Sequence, residues 1–375
     1  MQQHLHIVCL DVPWPADYGG VIDMMNRIRS FHRLGVKVHL HYFSYNERGV
    51  PRELHIFCES VNVYERRKKT ECLNLSLPYI VSSRVNEELK LRLNKDRHPV
   101  LLEGLHCTGI LPFIEQKDRV VCVRMHNNEE VYYKELARAS SDLFKKLYYT
   151  AESRLIKKYV PTLPKDLLLA CVSEADTVFF EQQGFENAFL LPTFPSWQEV
   201  DSLEGMGTHC LFHGNLSVPE NEEAALWLLS KVFNKVRVPF IIAGKDPGRP
   251  LQKAASLCQH TCLISNPSES EINDLVQKAH INVLPCFNKN ITGIRLKLLH
   301  ALFSGRHCVA TPAMVSGTGL ETACHIGSNS NAIASIISQL YYKPFEDEEI
   351  RLRKTLVEKP FNNDRNTRQL IQRFW

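Results

Sequence analysis

Residues 281–320, INVLPCFNKNITGIRLKLLHALFSGRHCVATPAMVSGTGL, constrain the fold more than any other part of the chain. The β-branched and aliphatic run at 281–284, closed by Pro285, reads as a buried parallel strand. A polar loop and Gly293 follow, and then Leu296, Leu299, Ala301 and Phe303 fall at helical spacing up to a stop at Gly305. Residues 308–310 supply the next strand. Strand, glycine loop, helix, strand is the unit of a parallel sheet with helical crossovers, which commits the chain to the α/β class. Arg295 and Lys297 stand in the first helical turn, where free backbone N–H groups already favour an anion. Two added cations point to a phosphate or diphosphate rather than a carboxylate. Such a pair is often plain solvated surface. The apolar strand before it and the second small-residue turn, Ser316-Gly317-Thr318-Gly319, favour the anion site.

At 375 residues the chain exceeds the size at which one core usually stops growing, so two domains are expected. With 44% hydrophobic and 23% charged residues, its composition is that of a globular protein. No apolar run approaches a signal peptide or a membrane span, and a cytoplasmic location is expected. The twelve cysteines are scattered, and Cys9, Cys122, Cys171 and Cys308 lie inside apolar runs as small hydrophobes. Cys258, His260 and Cys262 lack a second ligand pair at zinc spacing, so no metal is expected. A net charge of +4 without a long basic, aromatic-interleaved stripe argues against nucleic acid. The cluster Arg66-Arg67-Lys68-Lys69 is compatible with a solvated loop or with acidic lipid heads at the cytoplasmic membrane face.

Read in order, the chain opens on a strand at 5–10, a loop through Pro13, Pro15 and Asp17-Tyr18-Gly19-Gly20, and a helix with Ile22, Met25, Ile28 and Phe31 on one side. A strand at 36–42 follows. This opening is of nucleotide-domain type but lacks G-x-G-x-x-G, which excludes a nicotinamide or flavin reading. Further strands are expected at 57–64, 99–102, 120–123 and 168–172, with helices at 83–95 and across 131–159. Ser173 is expected to cap the next helix, with Asp176 in its first turn. Polar groups (Glu103, His106, His126, Glu129) repeatedly follow strand ends, the place where open α/β sheets bind ligands. A polar stretch at 192–207 marks a boundary. Beyond it the pattern restarts, with strands at 210–213, 239–243 and 261–265 and helices at 219–233, 251–257 and 270–278. After the central stretch, helices are expected at 331–340, 348–356 and 363–374.

Taken together, PWPADYGG, RMHNNEEVYYKELA, CVSEADTVFF, FHGNLSVPENEEAALWLL, FIIAGKDP, TGIRLKLLHALFSG and VSGTGL resemble the large retaining, GT4-like family of GT-B glycosyltransferases that includes bacterial surface-glycan enzymes. The resemblance implies an α/β GT-B fold, two Rossmann-like domains facing a central cleft. Residues 1–195 would take the acceptor and 208–355 the donor nucleotide sugar, while 356–375 would return to the first domain as a terminal helix. It implies transfer from a UDP- or GDP-sugar to a glycan or lipid-linked acceptor in polysaccharide biosynthesis, with no metal or cofactor.

By the same resemblance, His126 lies beside the transferred sugar, and Arg295 and Lys297 neutralise the diphosphate. Gly19 and Gly20 let the first loop approach the donor, with Gly214, Lys245, Thr292, Gly293 and His300 around it. Ser316, Gly317, Thr318, Gly319 and Leu320 shape its wall. Trp14, Asp17, Tyr18, Glu103 and His106 are acceptor candidates from the residues themselves, Trp14 and Tyr18 as stacking faces and the others as polar contacts. Glu129 would orient His126 or cap the helix beginning there.

The chain departs from the family at the paired glutamates, where Thr292 and His300 stand, and after the strand ending at Gly214, where Asn215 replaces a basic residue. A histidine can hydrogen-bond a ribose hydroxyl but lacks the two oxygens of a carboxylate, and Glu321 is a candidate substitute. These departures keep two other readings open: a non-catalytic sugar-nucleotide-binding partner of another transferase, and a sugar-nucleotide epimerase of the same fold.

Overall fold

The computed structural model describes residues 2–16, 19–44, 51–68, 71–72, 76–115, 117–140, 142–288 and 295–375. They form two compact units, one of Met1–Ser196 with Phe361–Trp375, the other of Trp197–Ile291 with Arg295–Pro360. The first holds a seven-stranded sheet of β1 (His4–Cys9), β2 (Lys37–Ser44), β3 (Ser60–Glu65), β4 (Val100–Glu103), β5 (Val121–Met125), β6 (Leu168–Cys171) and β7 (Ala188–Leu190), in the order β3-β2-β1-β4-β5-β6-β7. The second holds β8 (His209–Asn215), β9 (Phe240–Lys245), β10 (Thr261–Ser265), β11 (Ala279–Leu284), β12 (His307–Ala310) and β13 (His325–Ile326), ordered β10-β9-β8-β11-β12-β13. All neighbouring strands within each sheet run parallel. Each unit is thus doubly wound in the Rossmann manner, and together they form a GT-B-like architecture. The strand order reverses between β1 and β4 in one unit and between β8 and β11 in the other. Ligands of open α/β sheets bind beyond the carboxyl ends at such switch points.

Parallel strands are apolar on both faces because helices cover both. In β1, Ile7 and Cys9 enter one core cluster while Val8 enters the other. In β8, Cys210 and Phe212 face one cluster and Leu211 the other. The helix Asn363–Phe374 inserts Leu370 and Phe374 into the first unit's core beside Ile7, Met25 and Phe31. Its Asp364 accepts hydrogen bonds from Ser30 Oγ at 2.6 Å and Arg33 Nε at 3.0 Å, and Asn363 Nδ2 donates to Pro195 O at 3.0 Å.

Several elements differ from sequence expectation. The strand expected from 57 begins at Ser60, because Leu54–Phe57 is a helical turn. The long helix expected across 131–159 is a hairpin of two, Glu129–Ala139 and Leu143–Tyr159, each with its own cap, Asn128 and Asp142. Those caps satisfy first-turn N–H groups and make the break cheap. Pro112 and weak amphipathicity hid a 3₁₀ segment at Leu105–Phe113, whose tight turns lack the helical 3.6-residue period. The three-residue β7 and two-residue β13 are too short to carry a pattern.

Candidate functional site

In the second unit, the helices Pro219–Trp227 and Leu296–Ser304 begin beside the switch point, with Arg295 as the N-cap of the latter. Although Arg295 and Lys297 are two apart and do not share a helix face, their side chains reach adjacent residues. Arg295 Nη2 donates to Glu220 Oε1 at 2.8 Å, and Lys297 Nζ donates to Asn221 Oδ1 at 2.8 Å. Asn221 also donates to Asn215 O at 2.9 Å, so it ties the end of β8 to the lysine. Gly214 faces the Asn221 side chain, and a Cβ at Gly244 would lie 1.8 Å from Gly214 O, a close approach only glycine allows. Lys245, exposed at the end of β9, is the register partner of Asn215.

Charge at this locus is poised. Burial, with Arg295 adding to it, lowers the Lys297 ammonium to about 8 against the pull of Glu220. Arg295 Nε is buried without a partner among the described residues. An unpaired buried guanidinium donor costs on the order of 1–3 kcal/mol, which an incoming oxyanion would recover. His300 stacks on Trp197 with ring centroids 4.2 Å apart and meets His213 edge-on at 5.5 Å. Burial holds the His300 imidazole down at about 4, and burial, then His300 and Lys297, push His213 well below its ordinary value. Both rings are therefore neutral near pH 7 and leave the positive charge to Arg295, Lys297 and Lys245.

The Ser316–Leu320 turn uses part of its backbone donors internally. Its N–H groups are not all free: Ser316 donates to Pro312 O at 3.0 Å, Thr318 to Val315 O at 3.1 Å, and Leu320 to Thr318 Oγ1 at 3.2 Å. Gly317 and Gly319 take positive φ of 73° and 70°, which the tight turn requires. Thr292 and Gly293, like Asp17 and Tyr18, lie outside the described residues.

The first unit assembles a buried ionic cluster at the carboxyl ends of β4 and β5. Glu103 accepts from Arg27 Nε and Nη2 at 2.9 and 2.7 Å, and His126 Nε2 lies 2.9 Å from its other contact at Oε2. Asp23 receives Arg27 Nη2 at 2.8 Å, Thr193 Oγ1 at 2.9 Å, the Phe194 amide at 2.7 Å and Arg124 Nε at 3.3 Å. Its Oδ2 is 3.5 Å from His126 Nδ1. Burial alone would raise the Asp23 carboxyl, but Arg124, Arg27 and His126 outweigh it and hold the group well below the usual carboxylate range. Two carboxylates and two guanidiniums thus balance, and the carboxylates hold the ring of His126. Glu103, expected at the acceptor, is fully buried with both oxygens engaged, so its contacts are those of a residue that positions His126.

His106 is pushed well below its ordinary value by burial and then Arg84, and its Nδ1 has no partner among the described residues. Trp14 packs half-buried against the core under the Arg29 guanidinium, 5.6 Å from its ring, which removes one face from stacking. Gly19 and Gly20 open the helix Gly19–Arg33. Glu129 neither caps nor orients: Asn128 is the cap, and Glu129 lines a cavity of about 300 Å³ with Leu105, Met125 and Phe179, where burial raises it to about 7.

Sequence reading missed Asp23, Arg27, Arg124, Trp197, His213, Glu220 and Asn221. The available signal was charge in apolar places: Arg124 inside the strand Val121–Met125, and Asp23 with Arg27 one turn apart in a helix buried nearly all round.

Residues 207–343 match the family model described as glycosyl transferases group 1. Over this stretch, most of the second unit, the chain is similar to glycosyl transferases of that group, and its two-Rossmann architecture is GT-B-like. Among curated proteins, the chain is 28% identical over 333 residues, 84% of each chain, to the "Uncharacterized 44.6 kDa protein in cps region" of Klebsiella pneumoniae. Among solved structures, sucrose-phosphate synthase from Thermosynechococcus elongatus superposes with a TM-score of 0.69 at 13% identity, covering 100% of this chain and 98% of that one. TarM gives 0.67 at 11% identity over 100% and 98%, and the lipopolysaccharide outer core galactosyltransferase WaaB gives 0.63 at 10% over 99% of each.

Proposed function

We propose that the protein is a retaining glycosyltransferase that moves a sugar from a UDP- or GDP-sugar onto a glycan or lipid-linked acceptor. The observation that carries this reading is the convergence of Arg295 and Lys297 on the start of the helix Pro219–Trp227, with a buried guanidinium donor still open. The departing diphosphate gains charge as the bond from its oxygen to the anomeric carbon breaks. Arg295 can fork two of its oxygens while Lys297 supplies a compact charge, and both are fixed before the reaction begins. The acceptor oxygen forms the new bond on the face the leaving group vacates, and its proton passes to the leaving phosphate oxygen. No dedicated base is required. His126, held between Glu103 and Asp23, would lie beside the transferred sugar. The first unit would take the acceptor.

Calorimetric titration with UDP and GDP tests the donor site. Arg295→Ala should weaken the preferred nucleotide at least about 10-fold, since hydrogen bonds to a charged partner are worth roughly 1.5–3 kcal/mol each. Unchanged affinity would remove the assignment.

The non-catalytic partner reading is favoured by one observation: neutral, ring-stacked His300 stands where the resemblance expects a glutamate. Release of free nucleoside diphosphate from a nucleotide sugar by the purified chain decides against it.

The enzyme would work at an anionic membrane surface. The helix Leu143–Tyr159 exposes Leu143, Phe144 and Leu147 around Lys145 and Lys146, and Arg66 of the basic cluster acts electrostatically on Tyr148 of the same helix. Apolar and basic residues interleaved on one exposed helix match an acidic lipid interface.

A further inference from the structure

At the amino end of the first sheet, well away from the strand ends just described, five histidines share one face. β1 carries His4 and His6, and β2 carries His39 and His41; alternation in each strand points both residues of a pair the same way. The register sets His6 beside His39 on one side and beside Val100 on the other, so His98, two residues before Val100, lies next to His4. Three adjacent strand lines therefore bring His39, His4 and His98 together.

The inner row is closed. Tyr64 Oη donates to His41 Nδ1 at 2.8 Å, His41 Nε2 to His6 Nδ1 at 2.9 Å, and His6 Nε2 to Asp96 at 3.1 Å; this one tautomer chain satisfies every nitrogen of two neutral rings. The outer row is half-exposed and open. His4 Nδ1 and His39 Nε2 are 3.0 Å apart, His39 Nδ1 meets Ser60 Oγ at 3.0 Å, and one ligand nitrogen from each of His4, His39 and His98 lies within 4.8 Å of the others.

We propose that His4, His39 and His98 bind a divalent transition metal ion that prefers nitrogen ligands, Zn²⁺ above all, with Asp96 as the carboxylate behind them. Tetrahedral zinc with N–Zn distances of about 2.0–2.1 Å needs its nitrogens roughly 3.3 Å apart. The His4–His39 pair meets that by opening a few tenths of an ångström as the metal replaces the shared proton. The three rings lie within 16° of parallel, so His98, on the loop before β4, is the one that turns to complete the site. Asp96 is already oriented: it accepts from His6 and from the His98 amide at 2.9 Å, and lies 4.0 Å from His98 Nε2. Arg119 is 3.6 Å from the same carboxylate and donates to His98 O, so it faces Asp96, while Lys37, the register partner of His4, pairs with Glu59. Burial first, then His4 and His98, lower His39, and burial lowers His98, in each case against the pull of Asp96. The ion would staple β1, β2 and the β4 loop and takes no part in sugar transfer.

The test uses the full chain, free of any affinity tag and stripped with a chelator. Titration with Zn²⁺ by calorimetry should show one equivalent bound, and Co²⁺ should give the visible absorption of a tetrahedral site. His98→Ala, in a loop and safe for folding, should weaken Zn²⁺ at least ~10-fold, as loss of a direct ligand exceeds the loss of an outer one. His39→Ala should do the same, while His325→Ala, which removes a histidine of the separate His307–His325–Glu349 group in the second unit, should leave it unchanged. Absence of binding by the unsubstituted protein, or binding unaltered in folded His98→Ala, overturns the proposal.

Discussion

Lys297 is the residue whose chemistry is most exposed to measurement. Its ammonium is lowered to about 8 mainly by burial; in the proposed diphosphate complex it would gain a partner, and its value would rise. Below pH 8 the group is charged in both states and the affinity is flat. As pH rises above 8 the free protein loses a proton that the complex keeps, so binding takes up a proton and weakens. Titrations in buffers of differing ionisation enthalpy should detect that uptake at pH 8.5 to 9, roughly a unit above the free value. A pH-independent affinity from 7 to 9 would place the lysine outside the anion's reach. The two cations were readable in the sequence because a glycine loop and an apolar strand preceded them. Glu220 and Asn221 were not, since they lie 75 and 76 residues from their partners and look like an ordinary acidic helix start.

At the scale of elements, apolar runs bounded by turns located nearly every strand of both sheets, because a parallel strand buried on both faces leaves no polar alternation to confuse. The helical hairpin was legible only in outline. Its caps, Asn128 and Asp142, are common loop residues, and its exposed Leu143, Phe144 and Leu147 break the rule by which helices are located. Phe144 is 85% exposed and stands just before Lys145 and Lys146, the arrangement on which the proposed membrane contact rests. Full-length protein should co-sediment with vesicles rich in phosphatidylglycerol and not with phosphatidylcholine alone. Phe144→Glu with Leu147→Glu should abolish that, and equal sedimentation of the double variant would dismiss the membrane reading. The histidine face is illegible for a different reason: local Cys and His spacing does not join His4, His39 and His98, which meet through strand register.

For the molecule as a whole, the ionic cluster of Asp23, Arg27, Glu103 and Arg124 links the helix Gly19–Arg33, β4, β5 and residues 191–194 in one buried set. Removing one member strands the rest. Asp23→Ala should cost roughly 3–5 kcal/mol, the range for an uncompensated buried charge. At about 2–4 °C per kcal/mol for a unit of this size, the melting temperature should fall by on the order of ten degrees. A loss below about 1 kcal/mol would mean that water reaches the guanidiniums. No sequence pattern joins residues 76 and 101 positions apart, so this cluster became visible only in three dimensions.

The helix Asn363–Phe374 completes the first unit, yet the ribosome makes it only after the whole of the second. During synthesis, the seat of Leu370 and Phe374 beside Met25 and Phe31 stays uncovered while some 160 intervening residues are translated, an interval of roughly 10–30 s at 5–20 residues per second. A nascent chain of this protein is therefore an incomplete N-terminal lobe in need of shelter, and a nonsense codon near position 360 would release two well-formed sheets with one of them unsealed.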